Sequence, residues 1–241
     1  MDRLSLSEPV NVPDLQDTPS TISVILIVRN GADYIAEALT SVYQSYLQPL
    51  EIIVVDGHSS DDTVAVASQF PKVRIHPQTS FGIPSAYNEG IAQAQGEFIA
   101  FISHDDIWLP HKLDIQIAYL QAYPDIGATL GMVKHFLEAG REPPEGFRVE
   151  LLEKTHPGWI MEALVARRGL FAQVGRFDAS FAVGEDSDWF ARAIDAGLAP
   201  VVLPQLLVRK RIYGGNASLN ADTNQLLLRA LRASIQRKRA S

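Results

Sequence analysis

The run ISVILIV at Ile22–Val28 decides the fold, because it is an almost unbroken series of apolar and mostly β-branched residues. Such a run is typical of a strand that is buried on both faces, as the strands of a parallel sheet are. LEIIVV at Leu50–Val55 and EFIAFI at Glu97–Ile102 have the same character, and Val73–His76 is a shorter candidate. The sequence therefore predicts four strands in the first half of the chain.

Segments with helical periodicity separate these strands. Apolar residues recur at helical spacing from Tyr34 to Tyr46, Asp61 is a suitable start for a second helix, and Pro84 is one for a third. A strand–helix pattern that repeats three times with short links predicts parallel βαβ units, so the predicted fold class is α/β. Ligands of such sheets bind beyond the carboxyl ends of the strands.

The second half of the chain has a less regular pattern. We predict helices over 109–123, 168–174 and 186–196, strands over 128–137, 160–166 and 201–212, and a long loop over 138–158, which is rich in proline, glycine and charge. The predicted domain organisation has three parts: a flexible lead-in at residues 1–20, one domain at 21–220 and a basic helix at 221–241.

The composition excludes several classes of protein. The chain has 241 residues, 46% of them hydrophobic and 20% charged, which indicates a folded globular protein. It contains no cysteine, so disulfide scaffolds, thiolate metal sites and cysteine nucleophiles are excluded. No apolar run reaches the roughly 18 residues of a membrane span, and the first twenty residues lack the pattern of a signal peptide. We therefore expect a cytoplasmic protein.

The formal net charge of −7 is unevenly distributed. Eight basic residues and one acid follow residue 208, so the preceding part of the chain carries −14. An acidic body argues against a nucleic-acid-binding protein. The basic C-terminal helix has two open interpretations: it docks on the domain with a solvated basic face, or it contacts an anionic membrane at the inner face.

Three common nucleotide or hydrolase motifs are absent from the sequence. The turn after the first strand lacks the G-x-G-x-x-G pattern of dinucleotide-binding enzymes, and no P-loop or G-x-S-x-G elbow occurs. Redox chemistry with a dinucleotide, P-loop phosphoryl transfer and α/β-hydrolase chemistry are therefore disfavoured.

Carboxylates at predicted strand ends and at a helix start are the candidate functional groups. Asp56 directly follows LEIIVV, and it is either a ligand for a base or ribose or a plain turn residue. Asp105 and Asp106 follow EFIAFI; adjacent carboxylates there suit a divalent cation that bridges to a diphosphate, although Asp106 could instead cap the next helix. Glu185 and Asp186 precede a helix, where the dipole favours acids whatever their function.

The ordered series of motifs over Ile22–Ser218 resembles family 2 glycosyltransferases of the GT-A fold. The resemblance lies in five segments: ISVILIVRNGADYIAEALTSVYQ, LEIIVVDGHSSDDT, FGIPSAYNEGIAQAQGEFIAFISHDD, VGRFDASFAVGEDSDWFARAIDAG and RIYGGNAS. It implies a mixed, mostly parallel central sheet flanked by helices. It also implies transfer of a sugar, with inversion, from a nucleoside diphosphate sugar, here with UDP expected, in polysaccharide biosynthesis.

The resemblance assigns roles to residues of this sequence. Asp56 matches the residue that contacts the nucleotide base, Asp105 the acid that binds Mg²⁺ or Mn²⁺, and Asp186 the catalytic base beside Glu185. The implied donor-binding residues are Val28, Arg29, Asn30, Asp56, Asn88, Ser103, His104 and Asp105. The implied acceptor side includes His156, Trp159 and Asp188, and the closing segment includes Arg211 and Tyr213. We expect Trp108 and Trp189 to lie in the core.

Three segments depart from the family pattern. The opening turn has Val28-Arg29 where many relatives have small or hydroxyl residues. The metal motif commonly reads Asp-x-Asp, but this chain has Ser103-His104-Asp105. The closing segment commonly carries a histidine where this chain has Tyr213. With Asp105 as the only acid on the metal, we expect the donor diphosphate to supply the remaining charge.

These departures keep two rival interpretations open. One is an inactive relative that binds a nucleotide sugar or a partner protein. The other is a nucleotidyltransferase, which would need a basic triphosphate cradle that the first turn does not provide. The expected acceptor is a glycan, a lipid-linked sugar or a protein-bound sugar.

Overall fold

The computed structural model describes residues 20–181, 184–214, 216 and 232–235. Strands and helices alternate over residues 22–103, as the sequence predicts. The strands are β1 (Ile22–Val28), β2 (Glu51–Asp56), β3 (Val73–Pro77), β4 (Phe98–Ser103), β5 (Ile107–Trp108), β6 (Ala128–Phe136), β7 (His156–Pro157), β8 (Leu164–Arg167) and β9 (Val201–Arg211). The helices are α1 (Ile35–Tyr43), α2 (Thr63–Ala67), α3 (Ile83–Gln93), α4 (Lys112–Ala122), α5 (Glu150–Glu153), α6 (Leu170–Val174) and α7 (Glu185–Asp195), with a 3₁₀ turn at Met161–Ala163.

All described strands belong to one mixed sheet. Its order is β3-β2-β1-β4-β8-β6-β9-β5, and β7 pairs with β6. β1 is parallel to both β2 and β4, β2 is parallel to β3, and β6 is parallel to β9. β8 runs antiparallel between β4 and β6. The predicted α/β class, with a mixed central sheet and flanking helices, is confirmed.

The register of the parallel strands places the functional segments at one edge of the sheet. Val28 pairs with Asp56, and Ile27 pairs with Ser103. Because the three strands run in the same direction and end level, the segments that follow them emerge side by side. This is the carboxyl edge at which ligands of such sheets bind. β1 and β2 are almost completely buried, so side-chain packing on both faces fixes this register.

A hydrogen-bond network pins the opposite edge of the same strands. Ser23 Oγ donates to Glu51 Oε1 over 2.7 Å and accepts the N–H of Gly96 over 2.8 Å. The N–H of Gln95 donates to Glu51 Oε1 over 2.8 Å, and Arg74 Nη2 donates to Glu51 Oε2 over 2.9 Å. The buried polar groups at this edge are therefore paired, and the loop between α3 and β4 is held against β1.

The structure differs from the sequence prediction in the second half. The predicted loop 138–158 contains α5 and β7, and the predicted strand 160–166 begins instead with the 3₁₀ turn. β5 was not predicted, because two residues carry no periodic signal. The fourth strand extends through Ser103, one residue further than predicted.

The terminal parts lie largely outside the described residues. The predicted lead-in at residues 1–20 lies outside the described residues except for Ser20. The predicted basic helix at 221–241 also lies outside them except for residues 232–235. Residues 232–235 are helical, and Ser234 Oγ donates to Asp195 Oδ1 in α7 over 2.9 Å. None of the helices in the described ranges has the length and apolar character that crossing a membrane requires.

Gly96 provides a test of the pinned edge. A Cβ atom at Gly96 would lie 2.6 Å from the main-chain nitrogen of Ser23 and 2.9 Å from the carbonyl carbon of Ile22, and neither strand atom can move aside. We expect Gly96→Ala to lower the free energy of unfolding by about 1–3 kcal/mol, measured by urea denaturation. Gly169→Ala is the matched control, because nothing lies within 4 Å of the added atom. Equal urea midpoints for the two variants would contradict this packing.

Candidate active site

The segments after β1 and β2 are tied together by hydrogen bonds. Asn30 has a left-handed backbone (φ 54°), and its Oδ1 accepts the N–H of Ser60 over 2.8 Å. The N–H of Asn30 donates to Ser59 Oγ over 2.8 Å, and the Val28 carbonyl accepts the N–H of Gly57 over 2.8 Å. The sequence-predicted donor residues at these two strand ends therefore form one ordered surface.

Asp56 lies at the end of β2 and is 7% exposed. Its Oδ2 accepts the N–H of Ser59 over 3.1 Å, so the carboxylate both orders the turn and lies at the carboxyl edge. Arg29, in the neighbouring turn, is exposed at the same edge. The turn role and the nucleotide-contact role that the sequence left open are thus compatible.

His104 packs tightly under the first turn. A Cβ atom at Gly31 would lie 2.5 Å from His104 Cδ2, so only glycine allows the turn to approach the ring. Burial lowers the pKa of His104 below its ordinary value, and this effect is larger than the opposing effect of the Asp105 charge. The ring is therefore neutral at pH 7 and adds no positive charge for a phosphate.

The two adjacent aspartates have opposite environments. Asp106 is fully buried; its Oδ2 accepts from Lys210 Nζ over 3.0 Å, and its Oδ1 accepts the N–H of Arg211 over 3.0 Å. The alternative that Asp106 caps the next helix is wrong, because both oxygens bind β9. Burial raises the pKa of Asp106 above its ordinary value, although the Lys210 charge opposes this. Burial also disfavours the Lys210 charge, but the surrounding carboxylates, Asp106 foremost, raise the pKa of Lys210 above its ordinary value.

The carboxylate of Asp105 contacts only neutral donors among the described side chains. Its Oδ2 accepts from Asn216 Nδ2 over 3.1 Å, and its carboxylate accepts the Tyr213 hydroxyl. Burial, followed by the Asp105 charge, raises the pKa of Tyr213 above its ordinary value, so this hydroxyl stays protonated and donates. No cation of the described residues forms an ion pair with Asp105.

Arg211 holds the main chain at Asp105. Its Nε donates to the Asp105 carbonyl over 3.0 Å, Nη1 donates to Glu138 over 2.9 Å, and Nη2 donates to Glu37. The guanidinium also lies over the Tyr34 ring, 4.8 Å from its centroid. The guanidinium is therefore bound on several sides, which makes Arg211 a positioning residue of the closing segment.

The residues around Asp105 fit a cation held mainly by its ligand. In the described ranges, no three histidine, aspartate or glutamate side chains converge as a metal site. Asp105 nevertheless offers a hard carboxylate oxygen that no cation among the described side chains pairs with, and Mg²⁺ and Mn²⁺ prefer oxygen ligands. One carboxylate with substrate phosphates is a common arrangement for these ions.

Two acids at the start of α7 form the second half of the site. Gly184, with φ 83°, turns the chain into the helix, and Glu185 and Asp186 follow directly. Burial, then the charge of Asp186, raises the pKa of Glu185 to about 8, and its Oε2 is buried without a hydrogen-bond partner. Burial, then the charge of Glu162, raises the pKa of Asp186 to about 6. At pH 7 Asp186 is therefore the ionised member of the pair, which suits a general base.

Two other predicted site residues, Asp188 and Asn88, are engaged in structural contacts. The Asp188 carboxylate is buried and accepts a hydrogen bond of 2.8 Å from Arg192 Nε within α7. This ion pair explains the burial of Asp188 without any role in binding a sugar acceptor. The Asn88 amide exchanges two hydrogen bonds of 2.9 Å with the main chain of Phe177. Asn88 therefore holds the segment before α7, and no described hydrogen bond joins it to the strand-end residues.

The aromatic residues divide into core and surface. Trp108 and Trp189 are buried, as predicted. Trp159 is 40% exposed and packs edge-on against Phe190, with centroids 5.3 Å apart. His156 stacks on His135 in the neighbouring strand, with Nε2 and Nδ1 3.0 Å apart. Trp159 therefore keeps a free surface on which a sugar ring could stack.

Sequence reasoning missed two residues of the site. Glu162, in the 3₁₀ turn, accepts a hydrogen bond from Ser103 Oγ and lies 3.7 Å from Lys210 Nζ. Asn216 binds Asp105 and also donates to the Arg211 carbonyl over 3.1 Å. A signal for Glu162 was available, since it is a lone acid within the apolar run IMEALVA. Asn216 stood in a quoted motif, but its partner is 111 residues away.

Comparison with known protein families places this arrangement in context. The family model described as Glycosyl transferase family 2 matches residues 23–175. A protein of Rickettsia typhi, named an uncharacterized glycosyltransferase, is 30% identical over 217 residues, which cover 85% of this chain and 68% of that protein. The Escherichia coli WfgD protein, named a UDP-Glc:α-D-GlcNAc-diphosphoundecaprenol β-1,3-glucosyltransferase, is 33% identical over 102 residues, 41% of this chain and 40% of its own length.

Solved structures share the fold over most of this chain. The mannosyltransferase PcManGT of Pyrobaculum calidifontis, in complex with GDP-Man and Mn²⁺, has a TM-score of 0.70 and 21% identity, covering 96% of this chain and 68% of its own. TarS of S. aureus in complex with UDP-GlcNAc has a TM-score of 0.67 and 19% identity, covering 89% and 65%. At these identities the likeness concerns the fold alone, and the predicted GT-A fold is confirmed.

The buried pair of Asp106 and Lys210 is testable by a double-mutant cycle. Lys210→Met leaves the Asp106 carboxylate buried without its cation, so we expect about 3–5 kcal/mol less stability. Lys210→Met combined with Asp106→Asn should be more stable than Lys210→Met alone, because the orphaned charge is gone. Lys134→Met, on the exposed face of β6, is the control. The ion pair would be contradicted if the losses in the free energy of unfolding of the two single variants, measured by chemical denaturation, simply added up in the double variant.

Proposed function

The chain belongs to glycosyl transferase family 2, and we propose that it transfers a sugar from a UDP-sugar, with inversion, to a hydroxyl group of a glycan, lipid-linked or protein-bound acceptor. Glycosyl transfer is the activity of the family. The nucleotide, the sugar, the acceptor and the stereochemistry are the parts that we propose. The chain spans 68% of the Rickettsia typhi relative and 17% of a Rickettsia conorii relative, so the proposal concerns what this chain contributes.

The single observation that carries the proposal is that the acids of the site have different environments. Lys210 binds Asp106, so Asp106 belongs to the framework. Among the described residues, the Asp105 carboxylate contacts neutral donors only, and Asp186 has a pKa raised to about 6. One acid therefore remains to meet the diphosphate side of a donor, and another remains ionised to take a proton. Sugar transfer to a hydroxyl requires a base for the hydroxyl proton and positive charge at the departing diphosphate, which a divalent cation at Asp105 would supply.

The proposed reaction assigns one role to each acid. Asp56 accepts hydrogen bonds from the base at the carboxyl edge of β2. Asp186 removes the proton of the acceptor hydroxyl while its oxygen bonds to the anomeric carbon and the bond from that carbon to the diphosphate breaks. The products are the glycosylated acceptor, the nucleoside diphosphate and a proton on Asp186. A divalent ion at Asp105, when bound, supplies positive charge to the departing diphosphate.

Two relatives support the choice of nucleotide. The name of the Escherichia coli relative specifies UDP-Glc as donor and a diphosphoundecaprenol-linked sugar as acceptor. TarS, which shares the fold, has been crystallised with UDP-GlcNAc. The GDP-Man complex of PcManGT supports guanosine nucleotides as the alternative, and the experiment below therefore includes both.

Asp186→Asn tests the proposed function, because it keeps the shape of the side chain and removes the base. With UDP-glucose, UDP-N-acetylglucosamine and GDP-mannose as donors, we expect the wild type to release nucleoside diphosphate from one of them. The variant should release it about 10²–10⁴-fold more slowly while binding the donor with unchanged affinity. The wild-type rate should fall as the pH drops through about 6, because the base is then protonated.

The control for this experiment is Asp195→Asn at the far end of α7, which should leave release unaffected. Wild-type release from none of the donors, despite binding, would favour an inactive relative that only binds nucleotide sugars. Near wild-type release by Asp186→Asn would remove Asp186 from the mechanism and direct attention to Glu185.

A further inference from the structure

At position 103 this chain has a serine where the family commonly has an aspartate. The fold places a different acid, Glu162, in contact with this serine. β4 ends in Ser103, whose hydroxyl has no charge of its own. That hydroxyl donates to Oε1 of Glu162, which belongs to the 3₁₀ turn and lies 59 residues further along the chain. A carboxylate therefore lies in contact with the end of β4 although the strand itself supplies none there.

The backbone around Glu162 is held from below by buried polar side chains of α4. Gln116 Nε2 donates to the Ala163 carbonyl over 3.0 Å and to the Thr129 carbonyl over 3.1 Å. Lys112 Nζ donates to Gln116 Oε1 over 2.7 Å and lies 3.5 Å from the Leu164 carbonyl. These contacts fix a one-turn segment that would otherwise be free to shift, so the position of the Glu162 carboxylate is well determined.

The two oxygens of Glu162 are used differently. Oε1 accepts from Ser103 and lies 3.7 Å from Lys210 Nζ. No described residue donates a hydrogen bond to Oε2, and this oxygen is not fully buried. The carboxylate thus presents one anchored oxygen and one accessible acceptor oxygen, although the residue as a whole is only 7% exposed.

Glu162 also interacts with both halves of the site. It contacts Ser103, two residues before Asp105, and its charge raises the pKa of both Glu185 and Asp186 at the start of α7. In the proposed reaction, the transferred sugar must lie between the diphosphate and the general base, because its anomeric carbon joins the two. An accessible carboxylate oxygen there would face the hydroxyl groups of that sugar.

We propose that Glu162 is a donor-sugar-binding residue, whose Oε2 accepts a hydrogen bond from a hydroxyl group of the transferred sugar while Ser103 anchors Oε1. This inference rests on the proposed function. Sugar hydroxyls are donors that a carboxylate binds strongly, since hydrogen bonds to charged acceptors are stronger than neutral ones. The orientation of the sugar hydroxyls would then contribute to the choice of donor.

The test compares a nucleotide with and without its sugar. Calorimetric titrations would use UDP and UDP-glucose, or GDP and GDP-mannose if the wild type binds guanosine nucleotides. We expect Glu162→Gln to weaken binding of the nucleotide sugar by about 10- to 100-fold and to leave binding of the nucleoside diphosphate within about twofold. Glu153→Gln, an exposed glutamate in α5, is the matched control and should change neither affinity.

A charge-relocation variant separates binding from a purely structural role. Ser103→Asp alone places two carboxylates against each other and should weaken binding of the nucleotide sugar. Ser103→Asp combined with Glu162→Gln keeps one carboxylate at the same place and should recover at least part of the lost affinity. If Glu162→Gln does not fold, as judged by thermal unfolding, Ser103→Ala provides the test, because it releases Oε1 and should weaken nucleotide-sugar binding selectively.

The possible outcomes are distinct. Selective weakening for the nucleotide sugar, with recovery in the double variant, supports the proposal. Equal weakening for nucleotide and nucleotide sugar, or no weakening of either, overturns it. Failure of the wild type to bind any of the four ligands would instead contradict the proposed function.

Discussion

The buried ion pair between Asp106 and Lys210 is the interaction on which the candidate site depends. It joins the segment after β4 to the end of β9, across 104 residues of sequence, and the adjacent N–H of Arg211 binds the other oxygen of Asp106. A buried carboxylate without such partners would cost several kcal/mol. Because both oxygens are bound, the loop that carries Asp105 has a defined position relative to the closing segment.

This constraint explains why neighbouring acids differ in chemistry. Asp106 forms a structural ion pair with Lys210, whereas the Asp105 carboxylate lies at the edge of the sheet and accepts a hydrogen bond from the neutral Asn216. The main chain at Asp105 is held by Arg211, which is itself bound by Glu37 and Glu138. Lys210 and Arg211 of β9 are thus bound to carboxylates of the framework. In our account, a diphosphate at this edge would obtain positive charge from a divalent ion or from the exposed Arg29.

The sequence was sufficient for the parts of the site that depend on strand order. The apolar runs predicted β1, β2 and β4. Because parallel strands have their carboxyl ends at one edge of the sheet, the sequence also predicted that Asp56 and Asp105 lie at the same edge. The roles of Asp106, Glu162 and Asn216 were not predictable in this way, because their partners are 59 to 111 residues away. Side-chain pairing over such distances leaves no periodic trace, and short elements such as β5 and β7 leave none either.

One calorimetric experiment tests most directly whether the carboxyl edge is a nucleotide site divided between Asp56 and Asp105. UDP is titrated into the wild type, Asp56→Ala and Asp105→Ala, each in EDTA and in Mn²⁺. The account predicts that Mn²⁺ tightens UDP binding in the wild type, that Asp56→Ala weakens binding by about 10- to 100-fold in both solutions, and that Asp105→Ala abolishes only the effect of Mn²⁺. Equal UDP affinity in EDTA and Mn²⁺ for the wild type, together with unchanged affinity in Asp56→Ala, would contradict it.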